Sequence, residues 1–421
     1  MKALRGHLVD LGPLRRSREF RHYWIGTAVS GFGGSMTSFA LLYAVWDVSR
    51  SAVLVGLTGV VQAIPLVVFA LIGGHLADTR NRRTLLIWAR SGQLAVSAVA
   101  AALVITGHHS IPILYAVIAA GAALSSLSAP VAQTVPPMLL AGSDLAAGLA
   151  ITRLSGQFAL LLGPAIGGIL VASVGVGACL VVDVATFGAA LWGIRALPNR
   201  PPARVRTDAA TPAGELLAGL RFVVRTPVIL GAFLVDVCAM VLALPAALFP
   251  VINAERFGGS PLTLGLMLPA IGLGGILAGL FSGRITAAAR QGRIMLISCA
   301  AWGAATAAFG LAGSLPLALL ALVFAGAADT CTVVSRGTIV QTATPDELRG
   351  RVSSLDFLVG AGGPSIGDLR AGLVAGLTSG AISCVIGGLA CVAGAGAIAG
   401  TSARLRQWRL TPAAPRGRLG A

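Results

Sequence analysis

The sequence predicts an all-α membrane protein with twelve transmembrane helices in two pseudo-symmetric six-helix bundles. Three observations carry that expectation. First, of 421 residues 56% are apolar and only 11% charged, against about 25% charged in an ordinary soluble domain. Second, apolar runs near twenty residues recur along the chain, each long enough to cross a hydrocarbon layer of roughly 30 Å. Third, the basic residues fall almost entirely in alternate gaps between those runs. A water-soluble enzyme is excluded.

The runs place spans at 22–46, 53–76, 84–106, 111–132, 146–172, 176–197, 227–252, 262–283, 294–313, 315–340, 352–378 and 381–400. Residues 1–21 form a basic N-terminus; the first span is too long for a signal-peptide core and no small-residue cleavage site follows, so this end is expected to stay in the mature protein. Of the 31 basic residues, 30 of them arginine, 25 lie in segments that an even number of crossings puts on the N-terminal side, and only Arg50 and Arg256 lie opposite. Positive charge gathers on the cytoplasmic side of membrane proteins, so both termini are expected in the cytoplasm, and a missed span would have switched the bias partway along the chain.

The net charge of +16 also raises nucleic-acid binding, which needs the charge clustered on one solvated face. It is instead spread over short inter-span segments, so no nucleic-acid partner is expected. The tail, 401–421, carries five arginines and no acid, which suits anionic lipid headgroups. The six cysteines lie in or at the ends of apolar runs without paired metal-ligand spacing and read as small buried hydrophobes. His108 and His109 sit in a short outer loop with no third ligand, so no metal and no cofactor are expected. Sparse aromatics near span ends, such as Trp24, Trp46 and Trp192, read as interface anchors.

A longer polar connection, 198–226, separates two halves, 22–197 and 227–400. An internal echo supports the division: Gly163-Pro164-Ala165-Ile166-Gly167 recurs as Gly363-Pro364-Ser365-Ile366-Gly367, offset by 200 residues, and Gly74 is matched by Gly283, offset by 209. Two parallel six-helix repeats about an axis along the membrane normal form a transporter architecture with its site between the halves near the midplane. No phosphate-binding loop, nucleotide domain or nucleophile arrangement is present in aqueous segments, so neither an enzyme nor an ATP-driven pump is expected.

The connection from Gly74 through Asp78 to Arg82 and Arg83 resembles the G-x-x-x-D-R-x-G-R-R loop of the major facilitator superfamily, with Thr79 in place of the family's arginine and Asn81 in place of its glycine. Gly163, Pro164, Gly167 and Gly168 are similar to the G-P-x-x-G-G element of that family's drug and metabolite antiporters. Residues 217–222 and 344–351 resemble the branch of enterobactin (siderophore) exporters and multidrug efflux proteins, and the likeness covers nearly all of 18–400. The resemblance implies the major facilitator fold in a bacterial cytoplasmic membrane, with efflux of an amphipathic small molecule, siderophore or drug-like, in exchange for protons; a monomer suffices. An importer or symporter on the same fold, or a non-transporting sensor, are the alternatives. The resemblance also implies that Asp78 latches the cytoplasmic side shut in one state, with Arg82 and Arg83 beside it. Unlike many such antiporters, span one has no acid between Arg21 and Asp47, and span four has no charge.

Ionisable residues inside spans are expensive and default to functional hypotheses. Asp236 lies mid-span in the seventh run. Asp329 lies deep in the tenth, and Arg336 follows seven residues on, about 10 Å along the same helix face. With spans one, four, seven and ten lining the chamber of the resembled fold, all three are expected to face it, Asp236 taking the proton and Asp329 with Arg336 forming a charge pair or substrate contact. Asp183 and the Asp368/Arg370 couple are expected to pair structurally, and Asp356 to cap or anchor. The glycines and proline of 163–168, and their echo, are expected to form the seams on which the halves rock.

Overall fold

The computed structural model describes residues 10–199, 212–243 and 246–409. Twelve long helices dominate it: α1 (Arg18–Ser49), α2 (Ala52–Thr79), α3 (Arg82–Ile105), α4 (Ile111–Leu139), α5 (Gly142–Ser173), α6 (Val176–Arg195), α7 (Pro227–Ala243), α8 (Pro261–Gly279), α9 (Gln291–Leu311), α10 (Leu315–Ala343), α11 (Arg349–Leu377) and α12 (Gly380–Thr401). Eleven of the described segments are long and apolar enough to cross a membrane. The remaining helix, α11, has 29 residues but carries Arg349, Arg351, Asp356, Asp368 and Arg370.

Local sequence explains where the helices start and turn. Ser17 caps α1 by accepting the Phe20 N–H at 3.1 Å, and Ser379 caps α12 through Ile382 at 3.1 Å; a hydroxyl acceptor at this position satisfies a donor the helix leaves unpaired. The α5–α6 turn passes through Gly175 at φ 102°, a conformation that side chains with a Cβ rarely adopt. Asn81, where the resembled loop has glycine, accepts from the Arg83 and Thr84 N–H groups and donates to Asn199 at 2.5 Å. Its φ is −63°, so no glycine is required there.

The packing partners repeat after a shift of six helices. In the first half α1 packs on α5 and α6, α2 on α4, and α3 on α4 and α6; in the second α7 packs on α11 and α12, α8 on α10, and α9 on α10 and α12. The echoed motif follows the same shift. A Cβ added at Gly163 would meet Ser35 of α1, and one at Gly363 would meet Met240 of α7.

Two helix pairs join the halves, α2 with α11 and α5 with α8. Both are closest near the face opposite the described chain ends: Gly56 faces Gly372, and Gly168 faces Gly265. One apolar cluster there draws Met36 and Phe39 from α1 together with Phe249, Met267, Phe309, Leu322 and Ala371.

The seventh span, expected at 227–252, lies within one apolar stretch, Pro227–Arg256. After α7 ends at Ala243, the described chain resumes as a 3₁₀ turn, Ala246–Leu248, and a short helix, Phe249–Arg256. Pro250 sits in the first turn of that helix, where a missing N–H has no intrahelical partner to lose. In the linker, the helix Pro212–Arg225 buries Val223 and exposes Leu217, Leu220 and Val224.

Candidate functional site

Between the halves lies a cavity of about 1210 Å³. Its polar wall divides by half: the first supplies Gln62, Arg90, Gln93, Gln157 and Asp183, and the second supplies Asp329, Thr330 and Asp368. Serine and threonine hydroxyls of the first half, Ser35 and Thr58 among them, add to it, and the rest is apolar or glycine, including Gly31 and Gly34 of α1, Phe158 and Leu161 of α5, and Ile271 and Gly272 of α8. Such a surface accepts an apolar body and presents a few polar groups to orient it. Ala246 and Ala247 close it on the far side.

Of the three expected charged residues, Asp329 lines the cavity while Asp236 and Arg336 stand outside its wall. Arg336 is paired with Asp236 of α7, both side chains almost wholly buried, and its Nε lies 3.5 Å from Asp356 of α11. The expectation that Arg336 pairs with Asp329 is therefore corrected. The two share a helix face, but the seven-residue rise carries Arg336 below the cavity to where α7, α10 and α11 converge. Asp356, read as a cap, belongs to this buried charge group. A buried ion pair offsets its desolvation only when well placed, and the second carboxylate adds an ion-pair contact at 3.5 Å without a hydrogen bond. Asp236 and Arg336 both act electrostatically on Asp329, which accepts no protein hydrogen bond among the described residues.

Asp183 and Asp368, read as structural, both reach the cavity. Asp183 accepts from Ser97 Oγ at 2.7 Å and is 2% exposed. Its Oδ1 packs against Gly33 of α1, where an added Cβ would fall 2.8 Å from it. Asp368 and Arg370 do not pair: Asp368 accepts the Ala247 N–H at 3.2 Å, whereas Arg370 lies against Gly387 of α12. Arg90, which donates to Gln93 at 2.8 Å, was legible only as a charge inside a span.

The 163–168 motif is split in use. Gly163 and Gly167 let α5 approach α1 within the first half, and Gly168 faces Gly265 across the seam. Arg82 and Arg83 open α3; the surroundings of Gly74 and the side chain of Asp78 lie outside what is described.

Metal-ligand chemistry gathers in one place among the described residues. The thiols of Cys238, Cys299 and Cys391 lie within 4.8 Å of one another, brought together from α7, α9 and α12. Each also approaches a backbone carbonyl, Cys238 that of Cys391 at 3.7 Å and Cys299 that of Val235 at 3.6 Å. Weak S–H donors placed this way cross-brace three closely packed helices away from the cavity.

Two helical bundles joined by paired crossings around a central cavity define a major facilitator transporter, not an enzyme. The chain belongs to the transmembrane secretion effector family of that class, which it matches over residues 9–419. It is 26% identical over 361 residues to the enterobactin exporters EntS of Shigella boydii serotype 4 and of Escherichia coli O81, covering 86% of this chain and 86% of each relative. Among solved structures it superposes on the nucleoside transporter NupG (TM-score 0.74, 14% identity, 91% of this chain and 98% of that one). It also superposes on a bacterial homologue of the iron transporter ferroportin in an inward-facing state (TM-score 0.69, 15% identity, 92% and 99%).

Proposed function

We propose that this transporter exports an amphipathic small molecule, siderophore or drug-like, across the bacterial cytoplasmic membrane by alternating access, in exchange for protons. The observation that carries the reading is the cavity: a large, mainly apolar chamber between the halves, with Asp329 exposed to it and accepting no protein hydrogen bond. The enterobactin exporters among its relatives support export and the substrate class. The halves are the bundles 22–197 and 227–400, each moving as a body, and both termini are cytoplasmic, a placement supported by the 25 basic residues in the segments on that side. A single copy carries out the cycle.

In this scheme Asp329 meets the proton or the substrate in the cavity, and the Asp236–Arg336 pair below it responds. A proton taken up on either carboxylate changes which acid holds the guanidinium, which is how a charge in the cavity reaches the packing of α7 against α10 and α11. Asp78 acts as the cytoplasmic latch with Arg82 and Arg83, and its Asn variant is expected to insert normally but transport poorly.

Everted membrane vesicles test the scheme. A panel of siderophores and neutral or cationic drugs is offered with and without an imposed pH gradient, to wild type, Asp236→Asn and Asp329→Asn. Gradient-driven accumulation by wild type that both variants lose is the expected result. Gradient-independent movement by wild type, or equal accumulation by all three, would overturn proton coupling through these residues, and uptake in place of efflux by intact cells would reverse the direction.

A further inference from the structure

The two seams between the halves are built from equivalent positions with one difference. Gly168 of α5 faces Gly265 of α8, where a Cβ on Gly168 would fall 3.0 Å from the Gly265 Cα. In the other seam Gly372 of α11 stands to Gly56 of α2 as Gly168 does to Gly265, and one turn earlier, where α5 has Pro164, α11 sets Asp368 beside Gly56. A Cβ on Gly56 would fall 2.5 Å from the Asp368 carbonyl oxygen. One turn along, a Cβ on Gly59 would lie 3.0 Å from the Asp368 Cβ. The second seam thus carries a carboxylate where the first has the ring of Pro164, and two glycines of α2 make the notch that admits it.

That carboxylate lines the cavity and makes no ion pair among the described residues. Its Oδ1 accepts the N–H of Ala247, at 3.2 Å. Ala247 belongs by sequence to the second half but is 3% exposed within an apolar cluster of the first, with Leu41, Val45, Val55 and Leu180. With Ala246 it closes the far end of the cavity. The turn that stoppers the far face is therefore held by an acceptor that faces the substrate chamber.

We propose that Asp368 is the positioning residue of this far gate: its carboxylate pins the Ala246–Leu248 turn in the socket of the first half, and the point of release lies inside the cavity. The proposal rests on the chain being a major facilitator transporter and is independent of export direction and coupling ion. A carboxylate accepting a backbone N–H makes a stronger bond than a neutral acceptor, and an apolar side chain at 368 leaves the Ala247 N–H without its partner.

Hydrogen–deuterium exchange on the full chain in lipid nanodiscs tests it, comparing the peptide over 246–256 with one over α9. Asp368→Leu should speed exchange in the first peptide by about tenfold, from the loss of one partly buried hydrogen bond, and leave α9 unchanged. Asp368→Asn keeps an acceptor oxygen and should stay within about twofold of wild type. If Asp368→Leu does not accumulate as folded protein, Asp368→Ala makes the same comparison. Unchanged exchange in the apolar variants, or the same acceleration in Asn as in Leu, would overturn the proposal.

Discussion

Replacing Gly168 by alanine is expected to shift the transporter away from the state seen here while leaving each bundle intact. The added Cβ would fall 2.7 Å from the Pro261 carbonyl oxygen and 3.0 Å from the Gly265 Cα. An ordinary carbon–oxygen contact is about 3.3 Å or more and carbon–carbon contacts are best near 3.5–4.0 Å, so α5 and α8 must part by roughly half an ångström. The atoms in the way are backbone, which no rotamer change relieves. Overpacking of this kind costs about 1–3 kcal/mol, and each 1.4 kcal/mol is about tenfold in a population ratio. The far-face-closed state should therefore lose about five- to one-hundred-fold against states in which the seam is apart. Spin labels at Val174 and Leu262, both exposed beside this seam, measure the change as a longer, broader distance distribution by pulsed electron resonance. Gly163→Ala is the control. Its Cβ would press on the Ser35 side chain of α1 in the same half, so the strain stays inside one bundle and the label distance should hold. Gly168→Ala giving the wild-type distribution, or Gly163→Ala broadening it equally, would refute the assignment of Gly168 to the moving seam.

Other outcomes follow from the charged groups. Asp236→Ala strands a buried guanidinium and should lower stability by about 3–5 kcal/mol, moderated by Asp356, while Asp236→Leu with Arg336→Met should recover most of it; thermal unfolding in detergent reads both, and a double variant no better than the single one would contradict the pairing. Asp329→Asn removes a charge that accepts no protein hydrogen bond, so its unfolding temperature should stay near wild type while pH-driven efflux falls at least tenfold; normal efflux at full expression would remove Asp329 from the cycle. Gly33→Ala would drive a Cβ against Thr186 and to 2.8 Å from the Asp183 Oδ1, so it should lower stability by about 1–3 kcal/mol, as measured by thermal unfolding in detergent; an unchanged unfolding temperature would contradict the close packing of α1 on α6 there.

The all-α membrane class and the order of the helices were legible because lipid imposes them: a span must be apolar for about twenty residues. The 3₁₀ turn within the seventh span was not legible, since hydropathy over 227–252, apolar but for Asp236, does not report local helix type. The site was legible residue by residue but not in its pairing. Asp329 was found because it is a charge where charge is costly. Arg336 was placed on the right face and given the wrong partner, because helix periodicity fixes azimuth while depth against other helices depends on tertiary packing. Asp183 keeps the structural hydrogen bond expected of it, to Ser97, while also lining the cavity; Asp368 and Arg370 were expected to pair and do not, because Asp368 sits in the Gly56/Gly59 notch and accepts the Ala247 N–H instead. The three-thiol cluster was equally invisible, its members lying 61 and 92 residues apart in the chain.

The stopper turn has a consequence for how the chain holds together. Ala247 is seated among Leu41, Val55 and Leu180 of the first half, while the helix leading to it is buried with Cys299, Trp302 and Cys391 of the second. Residues 22–197 made alone would expose an empty greasy socket, and residues 227–400 a bare apolar plug. The two pieces are thus coupled in melting as well as in motion: calorimetry of the intact protein should show one transition instead of two, and coexpressed fragments should find each other in the bilayer through this joint.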